Sequence, residues 1–204
     1  MIVLARKERD RQLRKSDILT AAEHVFALNG YEKATIQDIA KEAQYATGTV
    51  YLYFKDKESL YLYLVEEKIA SIMSICREET AKVDDATRKL EIYIKETLNF
   101  FEKNRDFFRI FVLEKSKHQW TIDRKLSKSP ALTNKLKLVA ELIKTSQDQG
   151  VIRKDLNAEQ VADILMAILS TIIFGWLNGE MKETAHLSDM AEYVADIFLK
   201  GVKQ

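Results

Sequence analysis

Only one proline, Pro130, and six glycines interrupt a chain of 204 residues, and this scarcity of breakers restricts the fold more than any other feature. Proline removes a backbone donor and glycine weakens a helix, so a chain nearly free of both is open to long helices. Apolar residues recur with helical spacing almost throughout, and no convincing alternating strand occurs. The expected fold is all-α. Hydrophobic residues make up 47% of the chain, enough for a sizeable core.

Punctuation marks divide the helices. Ser16 and Asp17 precede an apolar stripe of Ile18, Ala21, Ala22, Val25 and Phe26, which should stop at Asn29-Gly30. Thr35-Ile36-Gln37-Asp38 reads as a capping box opening a short helix with Ile39, Ala40 and Ala43 inside. After Gln44-Tyr45-Ala46 comes a second short helix, with Val50 and Phe54 as its inward residues. Asp56 opens a long helix carrying Tyr61, Leu64, Val65, Ile69, Ile72 and Cys76. Further helices are expected through Leu90–Phe101, at 105–115, from Ser129-Pro130 to Gly150, from Asn157 through 177, and over 188–200. Segment 116–129 is polar and gives no clear element.

Two short helices joined by a tight turn, with longer helices before and after, have the layout of a helix-turn-helix, whose second helix enters the DNA major groove. The stretch ATGTVYLYFKDKESLY at 46–61 suits that role. Thr47 and Thr49 are short, and Gly48 carries no side chain to obstruct an approaching base edge. Tyr51 and Tyr53 can donate to phosphate oxygens, and Lys57 stands in the first turn of the next helix. Gln37 can pair with adenine, and Thr35 can cap its helix and touch phosphate. The net charge of +1 neither favours nor excludes nucleic acid, but 6–15 concentrates Arg6, Lys7, Arg9, Arg11, Arg14 and Lys15 against Glu8 and Asp10. That arm has a phosphate-seeking reading beside that of a solvated helical start.

The span 18–68 resembles the DNA-binding domain of the TetR family of bacterial regulators. The matching residues are Ala22 with Phe26, Gly30-Tyr31, Thr35, Asp38-Ile39-Ala40, Gly48-Thr49-Val50-Tyr51, Tyr53-Phe54, and Lys57 followed by Leu60. The resemblance implies an N-terminal three-helix DNA-binding domain (1–56) followed by a larger helical ligand-binding and dimerisation domain (57–204). It implies a repressor that leaves an inverted-repeat operator on double-stranded DNA when a small hydrophobic effector binds. The aromatic residues Phe101, Phe107, Phe108, Phe111, Trp120 and Trp176 would then line the effector site. Gln44 stands where the family usually has glycine, so a strained turn is expected there. Ala46 replaces the usual serine and should leave the recognition helix without a side-chain cap.

Residues 161–177 are apolar on nearly every face, and Met190, Tyr193, Val194, Ile197 and Phe198 give the last helix a matching stripe. Seventeen residues with Asp163 near the start are short for a membrane span, so these two helices are expected to form a homodimer interface, with no membrane partner. Cys76, the sole cysteine, sits on an apolar helical face as inert packing, and its solitude excludes an intrachain disulfide. His24, His118 and His186 lack metal-ligand spacing, and no nucleophile elbow, phosphate loop or dinucleotide fingerprint appears. No metal, cofactor or catalytic activity is therefore expected. The absence of a signal-peptide core adds the expectation of a cytoplasmic protein. Two other functions remain to be weighed: an all-helical enzyme, which lacks an acid/base constellation, and an architectural DNA binder, which leaves the apolar second half unexplained.

Overall fold

The computed structural model describes residues 2–113, 129–179 and 186–202, with side chains for 6–109, 129–179 and 186–202. Helices run in the order α1 (Ile2–Lys33), α2 (Ile36–Glu42), α3 (Thr47–Tyr51), α4 (Lys57–Ala81), α5 (Ala86–Lys103) and α6 (Arg105–Leu113). They continue with α7 (Pro130–Asp148), α8 (Ala158–Leu177), a short 3-10 turn (Leu187–Asp189) and α9 (Met190–Val202). No strand occurs among the described residues.

Local signals set most boundaries. Thr35 accepts from the Asp38 amide while the Asp38 carboxylate accepts from the Thr35 amide and hydroxyl, a complete capping box. Asp56 and Ser59 make a second one at the start of α4. Asp85, Ser129 and Asn157 cap α5, α7 and α8 through their side chains, each satisfying an amide the helix leaves free. Gly30 breaks α1 with φ 74° and ψ 164°, a conformation that suits glycine. The basic stretch 6–15 is helical, as one of its two readings had it, and is a continuous extension of α1, because no breaker separates it from the stripe beginning at Ile18. One expectation needs correction. The last helix runs through Gly201 to Val202 and is preceded by the 3-10 turn. Segment 116–128 lies outside the described residues.

The turn between α2 and α3 is strained where the sequence indicates. Gln44 has φ 58°, the only positive φ outside glycine among the described residues. The Tyr45 amide donates to Ala40 O and the Gln44 amide to Lys41 O, so Gln44 occupies the left-handed position of a Schellman motif. Replacing Gln44 by glycine is expected to stabilise the protein by about 1 kcal/mol in urea unfolding, since a Cβ is unfavourable there. Unchanged or lowered stability would show that the turn carries no strain.

Ile18, Ala22, Phe26, Ile39, Val50 and Leu60 close the core of the first three helices and the start of α4. Beyond that core, α4 continues into a larger bundle, where Ile72, Met73 and Cys76 share an interior with Leu90, Ile94, Leu98, Val139 and Ile143. Helix α8 is long and apolar enough to cross a membrane by length and composition. The chain itself buries one stripe of it (Val161, Ala162, Leu165, Leu169, Ile173, Trp176, Leu177). Ile164 remains 55% exposed, and on α9 Tyr193 and Ile197 are 61% and 51% exposed.

Candidate nucleic-acid interface and effector site

Helices α1 and α4 hold the reading head in place. The Tyr45 hydroxyl donates to Asp17 Oδ2 at 2.8 Å, tying the turn to α1, and this bond raises the phenol's pKa. His24 Nδ1 lies 2.7 Å from Glu42 Oε1, linking α1 to α2. The Lys15 ammonium stands 3.5 Å from the centroid of the Tyr63 ring, so one cation of the basic stretch is fixed against α4.

On this support α3 presents a small, accessible face. Tyr51 is 50% exposed, Gly48 is exposed, and Thr47, Thr49 and Tyr53 are half-buried. A Cβ added to Gly48 would meet no atom within 4 Å. Internal packing therefore does not require glycine at 48, and the open space admits a partner's surface. Ala46 makes no side-chain cap, as expected from its methyl group. Gln37 is exposed on α2.

Two residues of the expected interface have their donors engaged inside the chain. Both the amide and the hydroxyl of Thr35 donate to the Asp38 carboxylate, holding that carboxyl below its ordinary pKa. The Lys57 ammonium donates to Tyr31 O at 2.6 Å, Ala34 O at 3.0 Å and Glu32 O at 3.1 Å, and lies 4.4 Å from the Tyr31 ring centroid. All three of its N–H groups thus close the end of α1 just past the Gly30 kink. Both side chains are seated as supports, an arrangement set by partners up to 26 residues away. Conversely, Leu52, which sequence reasoning passed over, is 80% exposed between the two tyrosines. A leucine on the outer side of so short a helix was the available signal.

The aromatic residues of the second domain gather around α6. Phe107, Phe108 and Trp176 are buried and Phe101 is half-buried. Phe101 and Phe108 centroids lie 4.2 Å apart, and Phe107 and Phe108 centroids 5.2 Å apart. The Arg105 guanidinium covers Trp176 at 4.7 Å. The side chain of Phe111 and all of Trp120 lie outside the described residues. From Phe107 the rings continue to Tyr61 on α4 (6.2 Å) and then to Phe26 (5.5 Å) and Tyr31 (5.0 Å) on α1. Close-packed rings join the bundle to the helices that carry the reading head. A groove of about 780 Å³ lies elsewhere, between α5 and α9, and none of Phe101, Phe107, Phe108 and Trp176 lines it. Among the described residues no cluster of His, Cys, Asp or Glu could hold a metal ion.

Comparison with known proteins gives this architecture its relatives. Residues 18–64 match the model of the bacterial regulatory proteins of the tetR family, and 65–201 match that of the YsiA-like protein, C-terminal region. The fatty acid metabolism regulator protein of Bacillus subtilis is 23% identical over 185 residues, covering 91% of this chain and 93% of that protein. The transcriptional repressor NicS of Pseudomonas putida is 23% identical over 203 residues, covering 93% and 92%. Among solved structures, the fatty acid degradation regulator FadR from Bacillus halodurans superposes with a TM-score of 0.81 at 25% identity, covering 92% of this chain and 95% of that one. FadR from Bacillus subtilis, in complex with stearoyl-CoA, superposes with a TM-score of 0.80 at 22% identity, covering 92% and 98%. The two family models together span the helix-turn-helix and the bundle: the chain belongs to the TetR family of ligand-responsive, DNA-binding transcriptional regulators, with a C-terminal region of the YsiA-like kind.

Proposed function

We propose that the protein is a cytoplasmic repressor that binds an inverted-repeat operator as a homodimer and is released by a long-chain acyl effector, of the acyl-CoA class, in its C-terminal bundle. The observation that carries the reading is the accessible α3 face, with open space at Gly48 beside Thr49 and Tyr51, on a framework capped and tied at both ends. Thr47, Gly48 and Thr49 approach base edges, Tyr51 and Tyr53 meet phosphates, and Gln37 reaches from α2. Thr35 and Lys57 keep this surface in shape. Leu52 supplies an apolar contact of the kind that recognises a thymine methyl. Domain 1–56 reads DNA, and 57–204 binds the effector near Phe101, Phe107, Phe108, Phe111, Trp120 and Trp176. The exposed apolar residues Ile164, Tyr193 and Ile197 pair two copies, setting two reading heads one helical turn of DNA apart. The acyl class is supported by the relatives named for fatty acid regulation and by the stearoyl-CoA bound to one of them.

An effector releases DNA only if it prefers the DNA-incompetent form, and linkage makes the effect reciprocal. The test selects bound DNA from a random pool and then titrates palmitoyl-CoA with and without the selected operator. Operator should weaken acyl-CoA binding by the same factor that acyl-CoA weakens operator binding, about 5–150-fold. Thr49→Ala and Leu52→Ala should change the preferred sequence at one or two base pairs, costing about 1–3 kcal/mol at each lost contact. Operator affinity unmoved by every acyl-CoA length would sink the effector class. Unchanged sequence preference in both variants would remove α3 from base readout.

A further inference from the structure

The stripe that seats α1 on the DNA-binding domain continues past the domain and changes character. Ile18, Ala22 and Val25 are buried along one side of the helix. Counting back from Ile18 by four, three and four residues reaches Arg14, Arg11 and Lys7, so these three share its side. With 3.6 residues per turn they fall within about 40° of the Ile18 direction, and Lys15 within about 60°. Glu8 and Asp10 lie about 80° from that direction, one on each side. Glu8 is also engaged, accepting from Gln12 Nε2 at 2.8 Å. Over 6–15 the face between the two carboxylates is therefore basic throughout. Lys7, Arg11 and Arg14 are all exposed, so buried apolar residues give way to accessible cations along one face.

That face opens beside the reading head. The Lys15 ammonium at its edge stands 3.5 Å from the Tyr63 ring centroid and 5.9 Å from that of Phe54, which follows α3. Two residues on, Asp17 takes the Tyr45 hydroxyl from the turn that precedes α3. Residues 15–17 thus touch the segments at both ends of α3. Ahead of Gly30 the backbone of α1 is helical without interruption, so the direction of 6–14 is fixed together with them. Lys7 to Arg14 spans about 10 Å along the helix axis. Over that length a DNA duplex presents about six phosphate charges. An acidic surface of this density, adjoining the one that α3 meets, complements a face of three exposed cations.

We propose that Lys7, Arg11 and Arg14 form a second DNA contact, a basic helix face that meets backbone phosphates beside those reached from α3. Its partner is duplex DNA of any sequence, because contacts to phosphate carry no base information. Helix α3 reads sequence, whereas this face adds affinity and sets orientation. The cations are arrayed on a helix before DNA arrives, so binding orders less chain than a flexible arm would require. The inference rests on the DNA-binding reading and adds to it a surface outside the helix-turn-helix.

The test compares two double variants of the full chain that change net charge equally. Arg11→Gln with Arg14→Gln alters the proposed face, and Arg6→Gln with Arg9→Gln alters the other side of the same helix. All four arginines are exposed, so both variants should keep the parent's melting temperature and helicity. Each protein is titrated with the selected operator between about 50 and 200 mM salt. The Arg11/Arg14 variant should lower the slope of log K against log salt by about 1.8, two phosphate contacts being lost. Over that salt range the parent then loses about tenfold more affinity than this variant does. The Arg6/Arg9 variant should keep the parental slope, and both should keep the preferred sequence. Equal slope changes in the two variants would reduce the effect to net charge and overturn the proposal. Unchanged slopes in both would overturn it too, leaving base readout by α3 intact. Binding to phosphatidylglycerol vesicles that only the Arg11/Arg14 variant loses, with the operator slope unmoved, would give the face to an acidic membrane instead. A parent that selects no duplex from a random pool would overturn the DNA-binding reading itself.

Discussion

Replacing Ile164 and Ile197 together by aspartate is expected to yield a folded monomer of 23.6 kDa where the parent protein sediments at twice that mass. Each isoleucine is more than half exposed in the single chain, so neither carboxylate is forced into the core of its own subunit. In the proposed dimer both would enter an apolar interface without a partner, at a cost of several kcal/mol. Operator affinity should fall with the oligomer by about 100-fold or more, because a second half-site is no longer held at high effective concentration. Sedimentation at micromolar protein, circular dichroism and an operator titration check the three parts. A parent protein that sediments as a monomer, or a double variant that still dimerises, would place the subunit interface elsewhere or abolish it.

Lys57→Met should produce the second large effect, and on stability before affinity. The substitution removes a charged donor from three carbonyls that end α1 at the Gly30 kink, where the helix dipole also favours a cation. Charge-assisted hydrogen bonds of this kind are among the stronger ones, and the expected loss is about 2–4 kcal/mol in urea unfolding. Operator binding should weaken for all sequences alike as the reading head loosens. Salt dependence separates this role from a phosphate contact. Loss of a phosphate contact would lower the slope of log K against log salt by about 0.9, whereas a supporting role leaves the slope unchanged. A variant with parental stability and a reduced slope would return Lys57 to the DNA surface.

The caps at Thr35, Asp56, Ser129 and Asn157 were readable because a cap acts on an amide two or three residues along the chain. The strain at Gln44 was readable for a similar reason: the turn between two short helices needs a left-handed residue whatever surrounds it. The motif positions at 47–53 were legible too, since their surface is carried by a helix of five residues whose inward side is Val50. Tertiary contacts decided where Lys57 directs its donors, because the receiving carbonyls lie 23–26 residues earlier. They also decided that Phe107 reaches Tyr61, and through it Phe26 and Tyr31.

Helix α8 shows the boundary between the two kinds of information. Its nearly uniform apolarity is a property of composition, and it announced a helix whose faces would all avoid water. Which face the chain covers, and which it leaves at Ile164, depends on where α7 and α9 pack, and no periodicity distinguishes one apolar face from another. Lys57 is the converse case. Its place in the first turn of α4 was written in the sequence, yet only the folded chain brings its ammonium to Tyr31 O, Glu32 O and Ala34 O. Local hydrogen bonding and helical period are short-range, so the order of residues by itself determined the helices, their ends and the strained turn. Burial and pairing depend on segments distant in sequence, so only the tertiary structure decided which apolar faces were covered and which donors were engaged inside the chain.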